Sequence, residues 1–305
     1  LPAVAPKEPA DEAGPDTIAV ILQTSGTTAE PKLVPCLHSN LLATAHNDHI
    51  WFGLDKRDRS LSIAPPYYSH GLVLTILAPL LSGGSVAFPS NLTQVDLAEW
   101  FERLGPTWYS ASPTMHLVIS EALESAPAAL KHQIRFAISG GSKMTQAVRS
   151  NLEIKLGIPL LEHYGMTEAS QVCANLPPPG PSKPGTVGIP PAGTVMIAGE
   201  DGLPLPQGET GEILICGPNV MKGYLRNPAL NQQAFRDGWF RTGDIGCIDP
   251  DGFLHIGDRI KELINRGGEK ISPFEIEAVL IKHPDVLEAA AFAVTHPRLG
   301  EDVGA

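Results

Sequence analysis

The sequence predicts an α/β protein with a layered, largely parallel sheet, a small β-rich unit and a further small unit at the end of the chain. Short apolar runs alternate with amphipathic stretches over about 150 residues, the pattern of strands joined by helices. Proline and glycine become frequent after Asn175, which disfavours regular helices and central strands. A capping-box sequence at Ser272 predicts that a further helix begins near the end of the chain.

The layered sheet is predicted from the alternating elements. Apolar runs predict strands at residues 18–22, 85–88, 107–109, 135–138 and 159–162. Amphipathic stretches predict helices from residue 39, over residues 93–104, from residue 113 to residue 124 and over residues 145–156. The third of these helices has a well-marked beginning, because Ser112 is a good N-cap and Pro113 fits the first turn.

Shorter signals predict the other two units. Strands are expected at residues 193–197, 211–216 and 253–256, between turns of Gly, Pro and Asp. Ser272 and Glu275 form the capping box of a helix to about residue 282, and residues 286–294 then predict a strand. We therefore divide the chain into a linker or tail (residues 1–16), a large domain (residues 17–260) and the beginning of a smaller domain (residues 261–305).

Composition excludes several classes of function. The chain has 22 Lys and Arg against 33 Asp and Glu, a net charge of −11, whereas nucleic-acid-binding proteins usually have a basic surface. Its four cysteines lie far apart without metal-ligand spacing, which disfavours a zinc site and a disulfide scaffold and favours the reducing cytoplasm. The longest apolar stretch, residues 71–81, is too short to span a membrane.

The strongest local motif follows the first predicted strand. Residues 24–32 read Thr-Ser-Gly-Thr-Thr-Ala-Glu-Pro-Lys, and such hydroxyl and backbone N–H groups can surround phosphate oxygens while the lysine adds a positive charge. It is not a Walker A loop, because Leu33 follows Lys32 and the glycine spacing differs. A polar turn between strand and helix is the alternative.

A second motif, Tyr-Gly-Met-Thr-Glu at residues 164–168, follows another predicted strand, at the end where open α/β sheets bind ligands. Thr167 can bond a phosphate, and Glu168 can hold Mg²⁺, which prefers oxygen ligands. Gly140 and Gly141 follow a third strand and permit the close approach of a flat ring. An exposed turn and an ordinary connection are the alternatives.

Two further motifs lie in the second half of the chain. Residues 239–244 end in Asp244, whose carboxylate can accept hydrogen bonds from both hydroxyls of a ribose. Residues 257–264 alternate charged and apolar side chains and lead into a turn at Gly267 and Gly268. For these residues, a half-buried strand followed by a hairpin is the alternative.

Together, and in this order, the motifs resemble those of the adenylate-forming superfamily, which includes acyl- and aryl-CoA synthetases, luciferases and nonribosomal adenylation domains. The matching segments are residues 24–32 (phosphate loop), 164–168 (Tyr-Gly-x-Thr-Glu), 211–224 (the Gly-Glu-Ile segment that ends in Gly-Tyr), 240–244 (Arg-Thr-Gly-Asp) and 259–261 (start of the hinge). Five motifs together are far more specific than any one alone. The resemblance covers nearly all of residues 17–305.

The resemblance implies a large layered α/β N-terminal domain with a small β-rich subdomain, followed by a small, mobile α+β C-terminal lid. It also implies an AMP-forming acyl-CoA synthetase. The carboxylate of a small acid would attack the α-phosphate of ATP, pyrophosphate would leave, and the thiol of coenzyme A would then take the acyl group from the adenylate. The implied cofactors are ATP or AMP, Mg²⁺ and coenzyme A.

The resemblance also assigns roles to individual residues. The ATP phosphates would contact Thr24, Ser25, Gly26, Thr27, Thr28 and the catalytic Lys32. The adenosine would contact Gly140, Gly141, His163, Tyr164, Gly165, Asp244 and Arg259. Thr167 would act at the α-phosphate, Glu168 would hold Mg²⁺, Lys261 would be the hinge of the lid, and Gly267 and Gly268 would approach coenzyme A.

Within the superfamily, residues 176–188 and 257–273 most resemble short-chain acyl-CoA synthetases, in particular the oxalate–CoA ligase-like subgroup. His70 matches a histidine of the substrate-side loop, and Gln171 stands where that subgroup tends to have a histidine. Both are expected in the acyl pocket. Tyr67-Tyr68 stand where relatives often have Phe-His, so the acyl substrate stays open.

The aromatic residues near these positions have two interpretations. Trp108, Tyr109 and His116 are further candidates for the wall of the acyl pocket, and packing in the core is an equal interpretation.

Two other functions stay open on the sequence alone, an enzyme that loads a carrier protein and a nucleotide-binding module without catalysis. The superfamily has a late lysine in the lid that assists adenylation, and Lys282, the last lysine here, lies too early to match it. We therefore expect a chain that lacks the upstream part of the large domain and most of the lid, with little or no activity by itself.

Overall fold

A computed structural model describes residues 13–24, 31–92, 94–125, 130–283, 285–286 and 288–305. The strands are β1 (Ile18–Thr24), β2 (Lys32–Leu37), β3 (Arg59–Ser62), β4 (Ser85–Ala87), β5 (Trp108–Ala111), β6 (Phe136–Ser139), β7 (Leu160–Met166), β8 (Ser170–Ala174), β9 (Val195–Ala198), β10 (Gly211–Ile215), β11 (Phe235–Arg236), β12 (Trp239–Ile248), β13 (Leu254–Arg259), β14 (Ile264–Arg266), β15 (Glu269–Ile271), β16 (Phe292–His296) and β17 (Gly300–Gly304). The α-helices are α1 (His38–Trp51), α2 (Ala78–Leu81), α3 (Pro113–Glu124), α4 (Gln146–Leu156), α5 (Pro228–Ala234) and α6 (Pro273–Leu280). Two π-helical segments cover His70–Leu77 and Ala98–Arg103, and a 3₁₀ turn covers Ile260–Glu262.

The largest sheet has six strands in the order β4-β3-β5-β6-β7-β8. Strands β3 to β7 run parallel, and β8 returns antiparallel to β7. The rings of Trp108 and Phe136 stack 5.9 Å apart in the core shared with α1, whereas Tyr109 and Ala137 pack into the core shared with α3 and α4. Successive side chains of a strand point to opposite faces, so burial on both faces explains the continuous apolar runs of β5 and β6.

Three smaller antiparallel sheets complete the fold. Strands β1 and β2 form a hairpin, β9 to β13 form a five-stranded sheet around β12, and β14 to β17 form the last sheet. An ion pair of 3.0 Å joins Lys270 Nζ on β15 to Glu200 Oε1 after β9, and so connects the last two sheets. In the part of the chain that the structure describes, the helices are too short or too polar to cross a bilayer.

The structure confirms the predicted α/β class and most of the predicted elements. Every predicted strand up to residue 256 begins within two residues of its expected start. Helix α3 begins after Ser112, whose hydroxyl accepts a hydrogen bond from Met115 N at 3.3 Å. Helix α6 begins after Ser272, whose hydroxyl accepts one from Glu275 N at 3.0 Å.

Two predicted boundaries are wrong. The helix expected over residues 93–104 covers Ala98–Arg103, because Asp96 Oδ1 accepts a hydrogen bond from Glu99 N at 3.0 Å and so caps the first turn. Residue 93 itself lies outside the described residues. The strand expected over residues 286–294 is β16, which begins only at Phe292, since the alanines at residues 289–291 have low strand propensity.

The first predicted strand also has a different setting from the one expected. β1 does not join the large sheet but pairs with β2, so a strand and not a helix follows residues 24–32. The strands that were not predicted are β2, β3, β8, β11, β12 and β17. After β13, the structure has the hairpin β14–β15, which is the alternative considered for residues 257–270.

Candidate functional site

A cleft of about 1180 Å³ lies between the β1–β2 hairpin, the β7–β8 loop and the end of β13. The predicted site residues in its wall are Thr24, Lys32, Gly141, Gly165, Thr167, Glu168, Arg259 and Lys261. The motifs at residues 24–32, 164–168, 240–244 and 259–261 all contribute, although they are far apart in the sequence. The fold therefore brings the candidate motifs to one place.

The β7–β8 loop places Thr167 and Glu168 at the edge of this cleft. Ala169 N donates to Met166 O at 3.1 Å, which closes a tight turn around the two residues. A side chain at Gly165 would meet Ser170 O at 2.0 Å, so only glycine permits the close return of the chain. Met221 N donates to Glu168 O at 2.8 Å and fixes the turn to the segment before α5.

Glu168 is buried at the end of a short chain of polar contacts. Its Oε1 accepts a hydrogen bond of 2.8 Å from Tyr224 OH, and the ammonium of Lys32 lies 5.1 Å from the centre of the Tyr224 ring. Burial and the charge of Glu168 raise the pKa of Tyr224, so the phenol stays a donor. The same two causes raise the pKa of the Cys36 thiol to about 11, which excludes a thiolate nucleophile at neutral pH.

A second carboxylate, Asp244, lies where β12 pairs with β13. Its Oδ2 accepts a hydrogen bond of 2.5 Å from Tyr164 OH, and its Oδ1 lies 3.0 Å from Arg259 Nε. Asp244 is directly opposite Arg259 in the strand register, which explains the ion pair. Burial, followed by the charge of Asp244, raises the pKa of Tyr164 well above its ordinary value. The carboxylate is therefore held in place between a neutral donor and a cation.

His163 in the middle of β7 contacts Gly140, which directly follows β6. A Cβ atom on residue 140 would lie 1.9 Å from His163 Nε2, so the imidazole occupies the space that a side chain would need. The other side of the imidazole meets His70, whose ring centre is 5.0 Å away and nearly perpendicular. His70 Nε2 is bonded to Ser110 Oγ at 2.6 Å. His163 thus connects the position expected for adenosine with the position expected for the acyl group.

We predict that Gly140→Ala destabilises the protein by about 1–3 kcal/mol, because the added methyl forces the imidazole of His163 out of its position. Thermal unfolding with a chemical-denaturation check measures the change. Gly14→Ala is the matched control, since a Cβ there would contact nothing within 4 Å. The second substitution His163→Ala should recover most of the loss in the Gly140→Ala background, and independent, additive effects of the two would contradict the contact.

The remaining predicted residues lie elsewhere. Gly267 and Gly268 form the turn of the β14–β15 hairpin, with φ angles of +63° and +100°, and do not line the cleft. Gln171 lies on β8 and is fully buried beside the cleft, and His70 begins a π-helical segment and is partly exposed. Ser25, Gly26, Thr27 and Thr28 lie outside the described residues.

Trp108, Tyr109 and His116 are buried completely. Trp108 and Tyr109 pack in the two cores on either side of the large sheet, which fits the core-packing alternative considered for them.

Three residues in the wall of the cleft were given no role from the sequence. Tyr224 orients Glu168, and Glu212 and Arg241, whose side chains form an ion pair of 2.7 Å, line the cleft. Tyr224 is the last residue of the motif at residues 211–224, so the sequence identified the segment that contains it. No local pattern indicates its contact with a residue 56 positions away.

Glu168 is the candidate ligand for a hard cation. Among the described residues, no group of three His, Cys, Asp or Glu side chains forms a site that could hold a metal ion by itself. Oε1 of Glu168 is engaged by Tyr224, and Oε2 receives no hydrogen bond from the described residues. One carboxylate of this kind fits Mg²⁺, which keeps several waters and is completed by phosphate oxygens of a substrate.

The model of the AMP-binding enzyme family matches residues 2–225. The oxalate–CoA ligase of Arabidopsis thaliana is 41% identical over 293 residues, which cover 95% of this chain and 57% of that protein. The sulfoacetate–CoA ligase of Cupriavidus necator is 39% identical over 292 residues, with the same coverage of 95% and 57%.

The fold has a close structural neighbour as well. The crystal structure of ATP-bound MatB from Rhodopseudomonas palustris superposes with a TM-score of 0.85 at 33% identity, and covers 95% of this chain and 57% of that one. The chain therefore spans little more than half the length of the proteins it matches.

Proposed function

The chain belongs to the AMP-binding enzyme family, and on that premise we propose that the protein is an AMP-forming acid–thiol ligase that activates a small carboxylic acid with ATP and transfers it to coenzyme A. A carboxylate is a poor electrophile, and a mixed anhydride with AMP removes this obstacle. The convergence of four candidate motifs on one cleft carries the proposal.

In the first step, a carboxylate oxygen of the acid bonds to the α-phosphorus of ATP, and the bond from that phosphorus to the bridging oxygen breaks, so that pyrophosphate leaves with the electron pair. Such a transfer needs positioning and charge neutralisation more than a covalent protein nucleophile. We assign the phosphates to Thr24, Lys32 and the loop between them, and the α-phosphate to Thr167. Mg²⁺, held by Glu168 and the phosphates, would neutralise charge on the leaving pyrophosphate.

Asp244 is assigned to the ribose. Its carboxylate already accepts a hydrogen bond from Tyr164 and forms an ion pair with Arg259, and the remaining lone pairs suit a vicinal diol. Gly140, Gly141, Gly165 and the backbone around Tyr164 would take the adenine, because glycines permit a flat ring to approach the backbone.

In the second step, the sulfur of coenzyme A bonds to the acyl carbon, the bond from that carbon to the phosphate oxygen breaks, and AMP leaves with the electron pair while the thiol proton passes to solvent. We propose that residues 261–305 begin a lid that turns about Lys261, and that the large domain comprises residues 17–260. Lys261 lines the cleft and lies in the 3₁₀ turn that separates β13 from β14, a short connection of the kind that absorbs changes of φ and ψ. Gly267 and Gly268 would then approach coenzyme A only after this rotation.

We further propose a small acid with a second anionic group as substrate, because oxalate and sulfoacetate, named for two relatives, share that property. The described cysteines are all unpaired, which fits a cytoplasmic protein.

The test uses the complete protein as its organism makes it, incubated with ATP, Mg²⁺, coenzyme A and a panel of acids, with mass spectrometry of the products. AMP together with one acyl-CoA supports the proposal and identifies the acid. Formation of ADP, or no acid-dependent product, would contradict it. Acyl transfer only to a carrier protein would indicate a carrier-loading enzyme, and binding of ATP without AMP would indicate a non-catalytic module.

A further inference from the structure

Arg226 lies in the wall of the cleft, in the segment between β10 and α5, and outside every motif that the sequence resemblance matched. The residue is exposed, and the part of the chain that the structure describes gives it no hydrogen bond and no ion pair. A cationic side chain of this kind in a cleft is available to an anionic ligand.

The charges of the cleft distinguish Arg226 from its cationic neighbours. The described residues place five cations in the wall, at Lys32, Arg226, Arg241, Arg259 and Lys261. Two of them are paired with carboxylates, since Arg241 Nη2 lies 2.7 Å from Glu212 Oε2 and Arg259 Nε lies 3.0 Å from Asp244 Oδ1. Arg226 instead adds a positive charge that no carboxylate of the described residues neutralises.

Backbone contacts place Arg226 at the end of the cleft that is assigned to the phosphates. Leu225 N donates to Leu33 O at 2.9 Å, so the residue before Arg226 is fixed beside the start of β2. Lys32 precedes Leu33, and its ammonium lies 5.1 Å from the centre of the Tyr224 ring. Arg226 and Lys32 therefore enter the cleft from neighbouring backbone segments.

The backbone of Arg226 has a φ of +56°, in the left-handed region that arginine rarely adopts. The flanking residues hold this conformation from both sides. Asn231 exchanges two hydrogen bonds with the backbone of Tyr224, and Asn227 Oδ1 accepts one from Leu230 N at 3.1 Å. Glycine or asparagine would adopt the same conformation at lower cost, so stability does not explain an arginine here, and an unusual backbone of this kind points to a function.

We propose that Arg226 binds the β- and γ-phosphates of ATP and holds the pyrophosphate as it leaves. The inference rests on the proposed function and adds a residue for the leaving group. Negative charge accumulates on the pyrophosphate while its bond to the α-phosphorus breaks, and a guanidinium can donate two parallel hydrogen bonds to phosphate oxygens. The interaction is therefore stronger with the leaving group than with ATP, which lowers the barrier to adenylate formation.

The test measures the acid-dependent exchange of labelled pyrophosphate into ATP by the complete protein. Arg226→Asn removes the charge and suits the positive φ, so the fold should be retained. In this variant, KM for pyrophosphate is expected to rise by about 10–100-fold, the usual effect of losing a hydrogen bond between charged groups. The affinity for AMP, measured by titration calorimetry, should change by less than about twofold, because AMP lacks the two outer phosphates.

Two further variants separate the guanidinium from its charge and from its backbone. Arg226→Lys keeps the charge and loses the planar fork, so its KM for pyrophosphate should lie between those of the unmodified protein and Arg226→Asn. Arg226→Gly also permits the positive φ and should match Arg226→Asn. Lys222→Gln is the control, since it removes one positive charge from an exposed side chain that pairs with Asp16 and does not line the cleft. Its KM for pyrophosphate should be unchanged.

A KM for pyrophosphate within about twofold of the unmodified value in Arg226→Asn would overturn the inference, and acid-dependent exchange in that variant would leave the proposed function standing. An equal loss of affinity for AMP, an equal rise of KM in Lys222→Gln, or failure of both the asparagine and the glycine variants to fold would overturn it as well. Absence of acid-dependent exchange in the unmodified protein would overturn both the inference and the proposed function.

Discussion

Glu168→Gln is expected to reduce acid-dependent AMP formation by about 10²–10³-fold, the usual cost of removing one group that stabilises charge in a transition state. The amide has the shape of the carboxylate, and its oxygen still accepts the hydrogen bond from Tyr224. The fold should therefore be retained, and only the negative charge that would hold Mg²⁺ is lost. Initial rates over a range of Mg²⁺ concentrations measure the effect.

Glu121→Gln is the control for this substitution. Glu121 is exposed on α3, so this variant replaces a carboxylate with an amide outside the cleft. It should leave the rate and the Mg²⁺ dependence unchanged. A Glu168→Gln protein with a rate and Mg²⁺ dependence close to those of the unmodified protein would contradict the assignment. Tyr224→Phe, which retains the carboxylate, should cause a smaller loss than Glu168→Gln.

Asp244→Asn is expected to weaken AMP binding by about 10–100-fold, in line with the free energy of hydrogen bonds to charged groups. The carboxylate accepts a hydrogen bond from Tyr164 with one oxygen, and its other oxygen forms an ion pair with Arg259. An asparagine can accept with one atom only, so its amide NH₂ must face either the guanidinium or the phenol. Titration calorimetry with AMP measures the affinity, and thermal unfolding shows how far stability falls as well.

Asp237→Asn is the matched control, since Asp237 is exposed and its φ of +49° suits asparagine as well as aspartate. AMP affinity should be unchanged in this variant. Binding of AMP by Asp244→Asn within about twofold of the unmodified protein would contradict a ribose contact through this carboxylate, because a lost charged hydrogen bond exceeds that margin.

The sequence predicted those parts of the cleft in which a motif with polar or glycine residues directly follows a predicted strand. The motif at residues 164–168 follows an apolar run, and the carboxyl ends of parallel strands share one edge of a sheet. Gly141 and Thr167 are therefore found in the same cleft, as expected. The helix beginnings at Ser112 and Ser272 could also be predicted from the sequence, because an N-cap contacts residues only a few positions away.

Other features depend on contacts that no local pattern contains. The pairing of Asp244 with Arg259 follows from the register of β12 and β13, and the hydrogen bond from Tyr224 to Glu168 joins residues 56 positions apart. The contact between Gly140 and His163 likewise requires β6 and β7 to be neighbours. Sequence resemblance placed His163 at the adenosine, and only the folded chain reveals its second neighbour, His70.

Exchange of labelled pyrophosphate into ATP in the absence of coenzyme A tests the central claim most directly, because it reports reversible formation of an acyl adenylate. With the complete protein, Mg²⁺ and an accepted acid, label should enter ATP. Omission of the acid should abolish the exchange, and Glu168→Gln should slow it by about 10²–10³-fold. Exchange that proceeds equally without acid, or release of ADP in place of AMP, would contradict adenylate formation at this cleft.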